Sequence, residues 1–353
     1  MTVTVEGSRR AGSLFGLAYG DALGKETEFK SVDEIQRRFG PDGPSELPEP
    51  ALVTDDTQMA LAVGEGLVEV LGADSDGTPH SLGPDTLGPD TLAPVWSRRF
   101  VEWAHSPDNN RAPGMTCLRA CGELANGKAW VEASVASSKG CGANMRVTPV
   151  GLVPGLSPAT RAGAAQLQAA LTHGHPTALA ASELTANATW WLLRGMPPRD
   201  LPDALRTHAE QQRGVYHHAW LGELWERGHD DSPERFMARG WADCLAAFNR
   251  LDGALAAGDR VSDPCDETGE GWIAEEALAT ALLCFLLFPD DPRAALQRAA
   301  TTRGDSDSIA ALAGAFAGAA YGIDAFPAAW RARIEYADRL ESVASALTAG
   351  APG

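Results

Sequence analysis

The stretch RGDSDSIAALAGAFAGAAYG (303–322) opens on two aspartates and two serines and continues as a run of alanine, glycine and larger apolar residues. Ile309, Leu312, Phe316 and Ala320 recur at helical spacing and form one apolar stripe. The remaining faces are almost all alanine and glycine. Gly314 and Gly318, four residues apart, remove the side chains that would hold a neighbouring helix away. Such a helix belongs at the centre of a helical protein, and its acidic start (Asp305, Asp307 and Ser308) is then not a free surface end. Capping accounts for one aspartate there, not for two and a hydroxyl.

A second acidic helix start lies far upstream, in VTDDTQMALAV (53–63). Met59, Val63, Leu67 and Leu71 follow at intervals of four, with Thr54 at the N-cap and Asp55 and Asp56 in the first turn. Taken alone, this cluster is explained by capping and the helix macrodipole. Were the two helix starts to meet, four carboxylates would converge in one partly buried pocket. They would repel one another and raise one another's pKa values unless cations neutralised them. Oxygen donors without His or Cys point to a hard ion, Mg²⁺ or Mn²⁺ before Ca²⁺, and not to zinc. Successive helical residues point about 100° apart, so Asp55 and Asp56 are able to serve different ions in a two-metal cluster.

Helical patterning dominates the rest of the chain. Ser31 and Glu34 form a capping-box pair, and apolar spacing predicts helices over 8–24, 31–39, 55–71, 91–105, 114–125, 158–172, 176–194, 198–212, 232–257, 271–288, 291–302, 307–321 and 328–349. Strand-like alternation occurs only in MTVTVE (1–6). The stretch 72–92 repeats GPDTL and reads as a surface insertion in one domain spanning 1–353. No longer repeat suggests a solenoid.

The chain has 353 residues, 44% of them hydrophobic, enough for a large core. Lys+Arg number 29 against Asp+Glu 47, a net charge of -18 that leaves no broad basic surface for nucleic acid or anionic lipid. Six cysteines without metal or disulfide spacing read as reduced thiols of a cytoplasmic protein. SRRAGSLFGLA (8–18) imitates a twin-arginine export signal, but Asp21 and Lys25 interrupt its apolar stretch. The longest apolar run, 309–321, is shorter than the roughly 20 residues of a membrane span. A monomer is the default expectation.

Three further stretches carry polar groups with site-like spacing. GLAYGDALGKETEF (16–29) ends in Glu28 after a glycine-punctuated turn, with Asp21 and Glu26 as competing carboxylates. SSKGCGANMRVTPVGL (137–152) gathers Ser138, Gly140, Gly142 and Asn144, whose backbone N–H groups suit a phosphate nest, with Lys139 or Arg146 adding charge. LTHGHPTALAAS (171–182) places His173 and His175 at a helix break, where capping competes with catalysis. Trp272, after Gly269 and Gly271, is placed either to pack in the core or to stack on a base or sugar.

In this order, GDALGKETEF, TDDTQMAL, RAPGMTCL, SKGCGANMRVTPVGL, THGHP, GEGWIAEEAL and GDSDSIAALAGAFAGAAYG resemble the ADP-ribosylglycohydrolase family. That group includes the dinitrogenase reductase-activating glycohydrolase and the ADP-ribosyl-acceptor hydrolases. The resemblance implies an all-α orthogonal bundle and a binuclear Mg²⁺ or Mn²⁺ centre. By position, Thr54, Asp55, Asp56, Asp305, Asp307 and Ser308 would be metal ligands, and Glu28 and Asp307 catalytic. Ser138, Lys139, Gly140, Cys141, Gly142 and Met145 would hold diphosphate and ribose, with His175, Gly114 and Trp272 also on the substrate. It implies hydrolysis at the distal ribose of an ADP-ribosylated protein or a small conjugate such as O-acetyl-ADP-ribose. A non-catalytic ADP-ribose-binding protein is the alternative from another class. Two departures stand out. Ser308 replaces the family's usual threonine, with the same donor and acceptor capacity. RAPG lacks the aspartate that some arginine-directed members carry before this glycine.

Overall fold

A computed structural model describes residues 4–72 and 87–349. In chain order its helices are α1 (Val5–Gly24), α2 (Val32–Phe39), α3 (Asp55–Leu71), α4 (Pro89–Ala104), α5 (Met115–Ala125) and α6 (Trp130–Ala133). There follow α7 (Thr148–Leu152), α8 (Pro158–Ala170), α9 (Pro176–Leu193), α10 (Leu201–Gln212), α11 (His218–Leu221) and α12 (Pro233–Ala257). The last are α13 (Cys265–Thr268), α14 (Ala274–Leu287), α15 (Pro292–Ala299), α16 (Ser306–Tyr321), α17 (Ala328–Arg331) and α18 (Ala337–Ala349). Among the described residues the only β pairing is three isolated bridges, Ala51 with Ile334, Val135 with His173 and Gly140 with Ile273. The fold is all-α.

Its centre is the pairing of α1 with α16. The two run antiparallel, with Gly12 against Gly318, Gly16 against Gly314, Gly20 against Ala310 and Gly24 against Ser306 and Asp307. At these crossings a Cβ would strike opposing backbone: one built on Gly12 falls 2.7 Å from the Gly318 carbonyl oxygen. Glycine is required here by close approach, which closes the interior without voids. Ser306 through Ala320 are all buried. Because the helices are antiparallel, the C-terminus of α1, and with it Glu28, is set beside the acidic start of α16.

Several boundaries differ from the sequence pattern for local reasons. The expected helix over 328–349 is two helices. Between them Ile334 bridges Ala51, the Glu335 N–H donates to the Ala51 carbonyl at 3.0 Å, and Tyr336 takes φ 59°. The Glu335 carboxylate accepts the Val53 N–H at 3.0 Å and the Arg111 guanidinium at 2.7 Å, anchoring the segment that enters α3. The helix expected from 271 begins at Ala274, because Ile273 is extended and bridged to Gly140. Of MTVTVE, residues 1–3 lie outside the described residues; Val5 already begins α1, with the Thr4 side chain accepting the Gly7 N–H. Of the proposed insertion at 72–92, residues 73–86 lie outside the described residues. Gly72 caps α3 in the left-handed region, and from Pro89 onward the chain is already helical.

All six cysteines are buried free thiols. No helix among the described residues is long and apolar enough to cross a membrane.

Candidate metal centre and binding cleft

The site is assembled by a carboxylate that does not line it. Asp21, in the last turn of α1, is fully buried. It accepts the Thr54 N–H and hydroxyl at 3.0 and 2.8 Å and the Thr57 N–H and hydroxyl at 3.1 and 2.5 Å. These bonds satisfy donors that the first turn of α3 would otherwise leave open, and they dock α3 on α1. The Thr54 hydroxyl also lies 3.2 Å from Asp56 and 3.3 Å from Asp307, so one hydroxyl touches both acidic helix starts.

In front of Thr54 is a cavity of about 350 Å³ lined by Glu28, Asp55, Asp56, Asp305, Asp307 and Ser308. Ligand oxygens of Glu28, Asp305 and Asp307 lie within 4.8 Å of one another. The Gly114 N–H donates to Asp55 at 3.0 Å and the Ser308 N–H to Asp307 at 3.0 Å. No lysine, arginine or histidine among the described residues forms an ion pair with any of these five carboxylates. Asp56 is 2% exposed, and its Oδ1 has no hydrogen-bond partner.

Burial and mutual repulsion show in the proton affinities. Burial, then the charges of Asp307 and Asp55, push Glu28 up to about 9. Burial drives Asp55 up to about 7 against the opposing pull of the Gly114 N–H. Asp21 stands at about 7, from burial and then the charge of Asp307. Asp56 and Asp305 are raised well above the usual carboxylate range, first by burial and then by Asp307. A divalent cation fits this donor set: it would offset the repulsion and give the orphaned Asp56 oxygen a partner. Cys141 and His173 also face the cavity: burial pushes the thiol up, away from the thiolate that would bind a metal, and the gathered donor atoms are the hard oxygens of Glu28, Asp305 and Asp307.

The glycine loop also lines the cavity. Gly140, Cys141, Gly142 and Met145 line the cavity together with Gly114 and Trp272. A Cβ on Gly142 would fall 2.8 Å from Cys117 Sγ and 3.1 Å from a His173 ring carbon, so backbone alone fits there. The expected phosphate nest is only partly open: the Gly140 N–H already donates to Ser138 Oγ at 3.4 Å and the Cys141 N–H to the Trp272 carbonyl at 3.0 Å. Ser138 Oγ also meets the Thr116 hydroxyl at 3.0 Å, on the rim.

Neither expected cation of this loop reaches the cavity. Lys139 is turned away into an ion pair with Glu275 and a second with Asp243 at 3.2 Å. Arg146 is buried behind the wall, donating to Gln168 and Thr172 at 2.8 Å each, with its guanidinium 4.3 Å from the Phe100 ring centroid. Of the two histidines, His173 faces the acidic cavity. His175 instead caps α9, accepting the Thr177 N–H at 3.2 Å, and sits 2.6 Å from Arg239 in a neighbouring depression lined by Ser134 and Ser137. Thr116 and Phe29 line the cavity without having been singled out for it by spacing.

A family model described as ADP-ribosylglycohydrolase matches residues 1–353. ADP-ribosyl-[dinitrogen reductase] glycohydrolase of Rhodospirillum rubrum is 24% identical over 332 residues, covering 93% of this chain and 90% of that protein. ADP-ribosylhydrolase ARH3 of Homo sapiens is 27% identical over 368 residues, covering 96% of this chain and 93% of the relative. A solved structure, "ADP-ribosylglycohydrolase-related protein complex", aligns with a TM-score of 0.64 at 27% identity over 97% of each chain.

Proposed function

The chain belongs to the ADP-ribosylglycohydrolase family, and from that premise we propose that it hydrolyses the bond at the distal ribose of ADP-ribosylated substrates. The observation that carries this reading is the buried carboxylate cluster with its unpartnered Asp56 oxygen, a donor set that calls for divalent cations. Thr54, Asp55, Asp56, Asp305, Asp307 and Ser308 would hold two ions, Mg²⁺ or Mn²⁺. Such ions would supply Lewis acidity and a template for the ribose hydroxyls.

The protein's own groups do the rest. Glu28, on the wall of the cavity and ionised once bound cations offset the crowding of carboxylates, accepts the proton of the attacking water as its oxygen bonds to the anomeric carbon; the bond to the acceptor breaks and that proton passes to the departing oxygen. Asp307 is the competing base. The surrounding carboxylates stabilise the positive charge that develops at that carbon. The Gly140–Gly142 backbone and Met145 border the ribose and diphosphate, and the Gly114 N–H keeps Asp55 aimed inward. In this reading Ser138 acts from the rim, whereas Lys139 and His175 support the walls rather than the ligand.

The acceptor is the finer question. Ala112 and Pro113 line the cavity immediately before Gly114, without a carboxylate to meet a guanidinium. That favours an oxygen-linked acceptor, a serine side chain or an O-acetyl group, over arginine. We place the protein in the cytoplasm as a monomer acting on modified proteins or small conjugates. Arginine-linked, serine-linked and O-acetyl-ADP-ribose substrates, offered separately with Mg²⁺ or Mn²⁺, test the reading. Release from the oxygen-linked pair supports it. Binding of ADP-ribose without turnover of any of the three contradicts it and leaves a binding protein.

A further inference from the structure

We propose that Phe29 is a positioning residue, whose stack on Trp272 holds the loop that carries Glu28 at the mouth of the acidic cavity. The inference rests on Glu28 being the base, and it assigns a role to a side chain that composition and spacing leave unexplained.

The two rings lie 5.6 Å apart between centroids and 14° from parallel. Neither belongs to the core: Phe29 is 68% exposed and Trp272 is 39% exposed. An aromatic pair in contact with solvent and with a polar cavity is a bridge between two surface segments rather than core filling. Phe29 also has φ 60°, a conformation bulky side chains avoid and keep only where contacts enforce it.

The tethers on either side of Glu28 are unequal. Before it, the loop is fastened: the Thr27 hydroxyl meets Ser306 Oγ at 3.1 Å and donates to the Gly24 carbonyl at 2.8 Å, and the Glu28 N–H donates to Gly24 at 2.9 Å. After it, the Lys30 N–H donates to Thr27 at 3.1 Å, within the loop itself, and the Phe29 ring stacks on Trp272, which also lines the cavity. Glu28 meanwhile faces Asp305 and Asp307 at short range, so a small shift of the loop changes where its carboxyl group lies in the cavity.

Trp272 is a fixed partner. Its carbonyl accepts the Cys141 N–H at 3.0 Å, Ile273 bridges Gly140, and the Ala274 N–H donates to the Lys139 carbonyl at 2.9 Å. The Phe29 contact therefore ties the end of α1 to the glycine loop, and the distance of Glu28 from the reacting carbon becomes set by a hydrophobic contact. A misplaced base slows the chemical step without removing the groups that bind ribose.

The test compares Phe29→Ala and Phe29→Tyr with the wild-type protein in Mg²⁺. Four quantities are measured: kcat and KM for ADP-ribose release, ADP-ribose affinity by calorimetry, and amide hydrogen exchange at Thr27–Lys30. For Phe29→Ala the expected result is a kcat lower by about tenfold, with KM and ADP-ribose affinity within about threefold of wild type. Exchange at Thr27–Lys30 is expected to quicken by about tenfold, and Phe29→Tyr to restore both. Unchanged exchange in Phe29→Ala, or a Phe29→Tyr variant as slow as Phe29→Ala, overturns the proposal. Should the wild type release no ADP-ribose from any substrate, the assignment of Glu28 as base fails separately, and the exchange measurement alone decides whether Phe29 fixes the loop.

Discussion

The hydroxyl of Thr54 lies 3.3 Å from a carboxylate oxygen of Asp307, 253 positions further along the chain. That contact joins two helix starts, of which the one at Thr54 would pass for ordinary capping on its own. Asp21 secures it from behind, and the antiparallel α1 and α16 bring Glu28 to the same place. The result is a pocket of hard oxygens with no cationic side chain to balance it among the described residues.

The stability of the metal-free protein depends on pH in a direction set by this imbalance. Burial raises Asp21 and Asp55 to about 7 in the folded chain, against 3.8 for an unperturbed aspartate. Between those values the native state holds more protons than the unfolded state, so stability falls as pH rises through that window. Chelated protein should therefore melt at a lower temperature at pH 7 than at pH 5.5. Added Mg²⁺ should raise the melting temperature more at pH 7 than at pH 5.5, since cation binding favours the ionised carboxylates. A melting temperature insensitive to both pH and Mg²⁺ would count against a buried, cation-binding cluster.

Removing Asp21 tests the support behind the cluster. Asp21→Ala leaves the N–H and hydroxyl groups of Thr54 and Thr57 without their shared acceptor. Buried unsatisfied donors cost about 1–3 kcal/mol each before relaxation, so a total loss of about 3 kcal/mol or more is expected from urea unfolding. Asp21→Asn, which keeps one acceptor oxygen, should lose less.

The central helix pair yields a contrast within one residue type. Gly16 abuts the Gly314 backbone, so Gly16→Val should destabilise by about 3 kcal/mol or more, or prevent folding. Gly253 is exposed within α12, and nothing lies within 4 Å of its Cβ direction. Gly253→Ala should stabilise by about 0.5–1 kcal/mol, measured by the same denaturant midpoint.

Much of this arrangement is legible in residue order because it rests on local chemistry. The alanine and glycine faces around Gly314 and Gly318 announce a close helical partner, and the paired aspartates announce two converging helix starts. What stays hidden depends on distant partners. Lys139 reads as a cation for an anionic ligand until Glu275 and Asp243, more than a hundred residues later, claim it. His173 and His175 are two positions apart and equivalent in pattern. The bridge from His173 to Val135 and the approach of Arg239 to His175 send them to different cavities. Asp21 and Glu28 likewise compete on spacing alone. Asp21 is still within α1 and faces Thr54, whereas Glu28 follows the end of the helix and reaches the pocket. The break after α17 follows from Glu335 bonding to Val53 and Arg111, contacts that no periodicity encodes.

The histidine at the cavity should take no part in proton transfer. Burial and then the charge of Arg146 hold His173 down at about 3, so it is neutral across the working range. Its ring resonances should show no titration between pH 5 and pH 9 by NMR. A midpoint inside that interval would show that its surroundings are more polar than described.

The account stands most directly on cation-dependent release of ADP-ribose. Wild-type protein and Asp305→Ala, both stripped with a chelator, are assayed on an oxygen-linked ADP-ribose substrate before and after Mg²⁺ or Mn²⁺ is returned. The expected result is no release from either stripped protein, recovery of the wild type on adding the ion, and no recovery of Asp305→Ala. Full release by the stripped wild type, or full activity of Asp305→Ala, would contradict the claim that the two acidic helix starts form a metal centre that drives the hydrolysis.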